Sequence, residues 1–556
     1  MTTAWPRNDH GSDCARGDTT VTRQTAAARW SRVRLAGSGM LACWMAAAGV
    51  GALQARTAVA ISAPPELDAH VRRAMDAFDV PGIALAIVAG GEVVVAKGYG
   101  VRTIGQPDPV DDRTLFGIAS NTKAFTATAL GLLVEQDDLE WDAPVIDYLP
   151  WFQMWDPYVT RELTVRDLLV HRSGLGLGAG DLLWWPKSTY TRDELVRRLR
   201  FIEPATSFRS VYAYDNVLYL VAGEVIEAVS GESWEDFIAT RILGTLGMTD
   251  TRPRYPEPSH RGNLATPHAR VEGTVQSVTP FDSDTVNPAG GIHSNVREMA
   301  SWLQVQLARG RLRNGSRLFS EETSRQLWSI VTPRPIGTPP PELGETRPSF
   351  YGYALGFNVQ DYRGHRLVTH TGGLPGYVSR LAMLPDEGVG LIVLTNQESG
   401  AAYDAIVYRV LDHYLEIPAK DWIGALKTVA ERRASLTEAA EQRAAAARDT
   451  ASTPSLPLDA YAGTYQDAWY GDITIAFEDD GLVMRFSHTP SLVGDLEHWQ
   501  HDTFVVRWRA RETRADAFVT FALNPDGSIE EAKMQPVSAA TDFSFDFQDL
   551  RLVPRE

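Results

Sequence analysis

Between residues 65 and 78 apolar side chains recur at helical spacing, with Leu67, Val71, Met75 and Phe78 on one side. Residues 82–88 are continuously apolar, the pattern of a strand buried on both faces. Ala89-Gly90-Gly91 then turns the chain and residues 92–99 return, so a β-hairpin follows the helix. Residues 120–136 read as a long helix, with further helices over 164–170 and 218–229. Past residue 350 short strand-like runs occupy 352–359, 366–370, 378–384 and 390–396, with turn signals between them. A strand pair, a helical middle and several consecutive strands predict an α+β domain built on an antiparallel sheet rather than on βαβ units.

The pattern changes twice more. Residues 421–449 are rich in Ala, Glu and Arg and read as a surface helix or helical linker, ended by Thr453-Pro454-Ser455-Leu456-Pro457. Beyond it, runs at 471–477, 482–486, 503–508, 517–523 and 543–550 alternate or are apolar. Asp479-Asp480-Gly481 and Asn524-Pro525-Asp526-Gly527 are turn signals between them. These predict a small all-β barrel or half-barrel. The organisation expected is a leader over 1–60, a main domain over 61–420, a linker over 421–456 and a β unit over 457–556. The last is expected to fold on its own, to cover a cleft or to offer a sheet edge to a second copy of the chain.

Composition adds two constraints. The 556 residues carry a net charge of −17, which argues against a surface that grips nucleic acid. The only cysteines, Cys14 and Cys43, lie in the first 60 residues. There Arg29, Arg32 and Arg34 precede an uncharged stretch over 35–55, and Ala58-Val59-Ala60 follows it. That order reads as a secretory signal peptide, with an uncleaved membrane anchor as the alternative. The expectation is an exported protein, periplasmic or secreted. Its mature chain then lacks a thiol nucleophile and a disulfide framework.

Three fragments could carry chemistry. Ser120-Asn121-Thr122-Lys123 opens a helix, and i, i+3 spacing puts the hydroxyl and the amine on one face. A neutral lysine there can take the serine proton. Tyr214-Asp215-Asn216 precedes another helix, offering a hydroxyl to relay a proton and an amide to hold a carbonyl. His370-Thr371-Gly372-Gly373 ends a strand, where glycines admit a ligand close to backbone N–H donors. Singly, each has a plain explanation: a capped helix, a turn entering a helix, a strand-ending turn. Trp184-Trp185 reads as core packing or an aromatic lip. His498 and His501 lack a third ligand, so no metal site is expected.

Taken in order, Ser-x-x-Lys, Tyr-x-Asn and His-Thr-Gly resemble the penicillin-recognising serine hydrolases. That group spans serine β-lactamases, D-alanyl-D-alanine peptidases, D-aminopeptidases and related esterases. Residues 116–126, Leu168-Leu169-Val170-His171-Arg172-Ser173-Gly174-Leu175, Leu246-Gly247-Met248-Thr249-Asp250-Thr251 and Pro288-Ala289-Gly290-Gly291 extend the resemblance over about 64–419. The β unit resembles the lipocalin-like domain appended to some members. The resemblance implies Ser120 as acylated nucleophile, Lys123 as base and Tyr214 as proton relay. Asn216, His370, Thr371, Gly372 and Gly373 would bind substrate, and the N–H groups of Ser120 and Gly373 would form the oxyanion hole. No cofactor is implied, and the partner is a small-molecule or peptide substrate. Histidine replaces the lysine of many relatives at position 370. That shifts weight from β-lactamase or D,D-carboxypeptidase activity toward D-amino-acid peptide or small-ester hydrolysis. A catalytically silent binding protein on the same fold is the non-enzyme alternative.

Overall fold

The computed structural model describes residues 62–555; the leader expected over 1–60, with Cys14 and Cys43, lies outside the described residues. The main domain is built on an eight-stranded antiparallel sheet. Gly82–Ala89 sits between Glu92–Gly100 and Val389–Thr395 and is buried throughout. Its side chains alternate between two cores: Ala84, Ala86 and Val88 enter one, and Ile83, Leu85 and Ile87 the other. Helices cover both faces, which is why this run shows no polar alternation. Gly90 and Gly91, at φ 59° and 85°, make the two-residue turn of the hairpin.

The sheet continues through Tyr377–Leu384, His365–Leu374, Asn358–Tyr362 and Tyr351–Tyr353. Two expectations change here. The run over 352–359 is two strands, broken at Gly356 (φ 78°), where a Cβ would stand 2.7 Å from the Lys123 carbonyl oxygen. The strand holding His370 does not end at the glycines. It runs to Leu374 and pairs Gly372 with Ser379 and Gly373 with Val378. The helix expected over 164–170 is a 3-10 turn, Arg166–Leu169, in which the Asp167 carboxylate accepts from the Thr164 N–H and hydroxyl.

Helix Trp422–Ala446 leads to a closed eight-stranded barrel, Gly463–Asp467 through Arg551–Pro554. Closure pairs Tyr465 with Pro554, so the barrel has no free sheet edge to offer a second copy. Its centre is aromatic: Tyr461 packs edge-on against Phe504 and Phe521, and Phe486 against Trp508. Residues 543–550, read from sequence as a strand, are instead a loop with a 3-10 turn at Phe547–Asp549. The alternation of Asp542, Ser544 and Asp546 with Phe543, Phe545 and Phe547 imitates a strand because this loop also has two chemically different sides.

The barrel does not stand apart. Its apolar core is continuous with that of the main domain. Tyr190 stacks on His488 at 3.9 Å, Arg198 donates to the Trp469 carbonyl at 2.9 Å, and Arg514 holds Glu398 through two bonds of 2.7 and 2.9 Å. Among the described residues no helix is long and apolar enough to cross a membrane.

Candidate active site

Strand Phe116–Gly117 pairs with His293–Ser294 and delivers the chain to a 3-10 turn, Ala119–Asn121, from which helix Thr122–Glu135 enters the core. Ala119, just before Ser120, has φ 49°, a left-handed conformation that costs an alanine on the order of 1 kcal/mol. Its surroundings hold the turn. Asn121 donates to Ser379 Oγ at 2.8 Å, and Ser379 donates to the Ile118 carbonyl at 2.8 Å. Gly372 lies flat against the same turn: a Cβ there would be 2.3 Å from the Ile118 oxygen.

The structure brings the three sequence fragments together. Lys123 Nζ lies 3.1 Å from Ser120 Oγ, 2.8 Å from Asn216 Oδ1 and 3.0 Å from the Ala289 carbonyl oxygen. Tyr214 donates to Ser120 Oγ at 2.9 Å. Lys123 is fully buried, and burial lowers its pKa to about 7, against the opposing fields of Asp181 and Asp215. Burial raises the Tyr214 phenol well above its ordinary value, so it is a neutral donor. His370 is buried too; desolvation lowers it to about 3, and Tyr353 and the Thr371 carbonyl face its two ring nitrogens.

These groups open on a cleft of about 540 Å³ whose wall includes Ser120, Tyr214, Asn216, His370, Thr371 and Gly373. Gly372 is not in that wall, because alternation along the strand turns it toward Ile118. Trp184 and Trp185 line the cleft while almost fully buried, so they serve as both core and lip. His171 is fully buried against the Tyr214 ring, at 4.3 Å, and accepts from the Asp215 N–H at 3.2 Å. Among the described residues no cluster of His, Cys, Asp or Glu could hold a metal ion.

Four contributions were not legible in the sequence. Asp181 accepts from Asn216 Nδ2, Ser544 Oγ and Trp184 Nε1 at 2.8, 2.8 and 2.9 Å, which fixes the Asn216 amide with its oxygen toward Lys123. Asp546 accepts from the N–H groups of Gly180 and Leu182 at 2.6 and 3.0 Å and so pins the turn bearing Asp181. Asp542, Phe543 and Ser544 form part of the cleft wall, so the barrel domain helps build the site. Arg334, also in the wall, sits between the rings of Tyr212 and Tyr351 and donates to Asn358 Oδ1 at 2.6 Å. Among the described residues it has no carboxylate partner. The Asp-x-Ser-x-Asp spacing of 542–546 was the available signal for the first two, and it was absorbed by the strand reading.

Comparison with known proteins agrees with this architecture. The family model described as Beta-lactamase matches residues 67–415, and one described as a domain of unknown function (DUF3471) matches 447–554. The chain belongs to the Beta-lactamase family, whose members include penicillin-binding proteins. It is 29% identical to the unguisins hydrolase ungD of Aspergillus violaceofuscus over 493 residues, covering 83% of this chain and 86% of that one. Among solved structures, the octameric penicillin-binding protein homologue of Pyrococcus abyssi has a TM-score of 0.54 at 22% identity, over 88% of this chain and 99% of that one. The D-amino acid amidase of Ochrobactrum anthropi has a TM-score of 0.52 at 22% identity, over 62% and 99%.

Proposed function

We propose that the protein is an exported serine hydrolase that cleaves an amide or ester, a D-amino-acid peptide or small ester, through an acyl-enzyme on Ser120. One observation carries this reading: a fully buried Lys123 amine, its pKa lowered by burial to about 7, lies 3.1 Å from the Ser120 hydroxyl. Once the amine is neutral, its two N–H bonds can go to Asn216 Oδ1 and the Ala289 carbonyl, which leaves the lone pair for the Ser120 hydroxyl proton. Tyr214 donates to the oxygen that then attacks.

Ser120 Oγ adds to the substrate carbonyl carbon as its proton passes to Lys123 Nζ. The carbonyl oxygen takes up negative charge, with the N–H groups of Ser120 and Gly373 as its donors. On collapse the leaving amine or alcohol receives a proton through Tyr214, and the acyl group stays on Ser120. Water then adds to the ester and gives a proton to Lys123 Nζ; as the acyl–oxygen bond breaks, that proton returns to Ser120 Oγ, releasing the acid and the free serine. Two relatives' names, a hydrolase and a D-amino acid amidase, point the same way. His370 is uncharged at neutral pH, which favours substrates without a carboxylate beside the scissile bond.

Arg334 favours a second reading, D,D-carboxypeptidase or β-lactamase, because its guanidinium gives the cleft a fixed cation. A screen of p-nitrophenyl esters, D- and L-aminoacyl amides and nitrocefin separates the two. The lead reading expects turnover of esters and D-aminoacyl amides, abolished in Ser120→Ala, with little nitrocefin cleavage. Rapid nitrocefin turnover would favour the second reading; no turnover of any would refute both. Export rests on residues 1–60, and the N-terminal sequence of the secreted protein tests it, with Ile61 as the expected first residue.

A further inference from the structure

A second cavity, of about 570 Å³, adjoins the Ser120 cleft. Trp185, Gly373, Leu374 and Asp542 belong to the walls of both. The strand edge between them is open: the ladder to Asn358–Tyr362 stops at Thr369, while that to Tyr377–Leu384 continues to Leu374. A peptide laid along Thr371–Leu374 therefore passes from one chamber toward the other.

The second chamber is mainly apolar, with Val278, Phe281, Val378 and Phe545 in its wall, and the barrel supplies one side through Pro490, Ala510 and Phe545. Most of its charged groups are already partnered. Lys187 pairs with Asp282 at 2.7 Å, Arg514 holds Glu398 through its two bonds, and Glu512 accepts from the Thr279 N–H at 3.0 Å. Asp542, at the junction, accepts from the Ser544 N–H at 2.9 Å. Each chamber lies within the ~300–1,000 Å³ range of pockets that enclose a whole small ligand. Together they exceed what a single aminoacyl amide would fill.

Building on the hydrolase reading, we propose that this chamber is a substrate subsite for an uncharged apolar side chain of an extended peptide, reached along the Thr371–Leu374 edge. Asp542 accepts an N–H of the linking backbone, and the barrel domain thereby sets specificity. An acidic side chain is excluded, since Glu512 and Asp542 already place carboxylates in the wall.

The test compares p-nitrophenyl acetate with two peptide series, one extended on the acyl side and one on the leaving side, bearing Leu, Phe or Glu at successive positions. Wild type should favour Leu or Phe over Glu at least tenfold in kcat/KM at one position of one series. Ala510→Trp and Pro490→Trp, both at accessible positions, fill the chamber from the barrel side. They should lower kcat/KM for that best peptide at least tenfold, mainly through KM, and leave p-nitrophenyl acetate within twofold. Equal rates for Leu, Phe and Glu throughout would overturn the subsite. So would filled variants that cleave the best peptide as wild type does. If wild type cleaves neither the acetate nor any peptide, the hydrolase reading itself fails.

Discussion

Replacing Asp181 by asparagine tests whether the buried amine is the base. Activity that requires neutral Lys123 rises with pH and reaches half its plateau near the amine's pKa of about 7, where an ordinary lysine would place that point at 10.5. At pH 5.5 wild type should stand about 30-fold below the plateau. Asp181 favours the charged amine, so removing its carboxylate moves the acid limb to lower pH. The size follows from the geometry. Two 2.8 Å hydrogen bonds in series, through Asn216, separate the groups. The charges are then roughly 7 Å apart, and with an effective dielectric of ~20 their interaction is up to about 2 kcal/mol. That corresponds to a fall of up to about 1.5 pH units in the half-point, reached in full only where Asp181 is ionised, since burial raises that carboxyl to about 7 as well. The assay is kcat/KM for p-nitrophenyl acetate from pH 4.5 to 9, with circular dichroism at each end to show the fold is kept. An acid limb that moves upward in Asp181→Asn would refute Lys123 as the titrating base.

Three further outcomes follow from the same contacts. A chain ending at Asp449 loses Asp542, Phe543 and Ser544 from the cleft and Asp546 from beneath the Asp181 turn, and uncovers the shared core, so it should be poorly folded or at least 100-fold less active on p-nitrophenyl acetate; a folded, fully active truncation would contradict this. Gly372→Ala should lower kcat at least tenfold, because a Cβ 2.3 Å from the Ile118 oxygen forces the Ser120 turn to move; unchanged kinetics would contradict that packing. Arg334→Gln should lower the ratio of kcat/KM for carboxylated over amidated forms of one peptide at least fivefold if the guanidinium faces substrate, and leave it unchanged if it does not.

The sheet and its helices were largely legible because long apolar runs such as 82–88 have a single way of being buried. The triplet of Ser120, Tyr214 and His370 fragments was legible through order and local context, though no residue alone carried it. The second layer was not. Asp181 acts through Asn216, and its partner Ser544, like the Asp546 that holds the N–H groups flanking it, lies more than 360 residues away in the chain. Sequence periodicity reports which face is buried, not what it is buried against. That also explains why an aromatic–polar alternation at 542–547 read as a strand of a separate barrel. Positive φ at Ala119 left no sequence signal, since alanine rarely adopts it and only the finished packing imposes it.

The central claim is that Ser120 is a nucleophile activated by the amine beside it. The most direct measurement is labelling with a fluorophosphonate at pH 8, followed by intact-mass and peptide mapping of wild type and Ser120→Ala. One adduct per chain on the Ser120 peptide of wild type, and none on the folded variant, is the predicted result. A wild type that stays unlabelled, or an adduct that persists in Ser120→Ala, would contradict it.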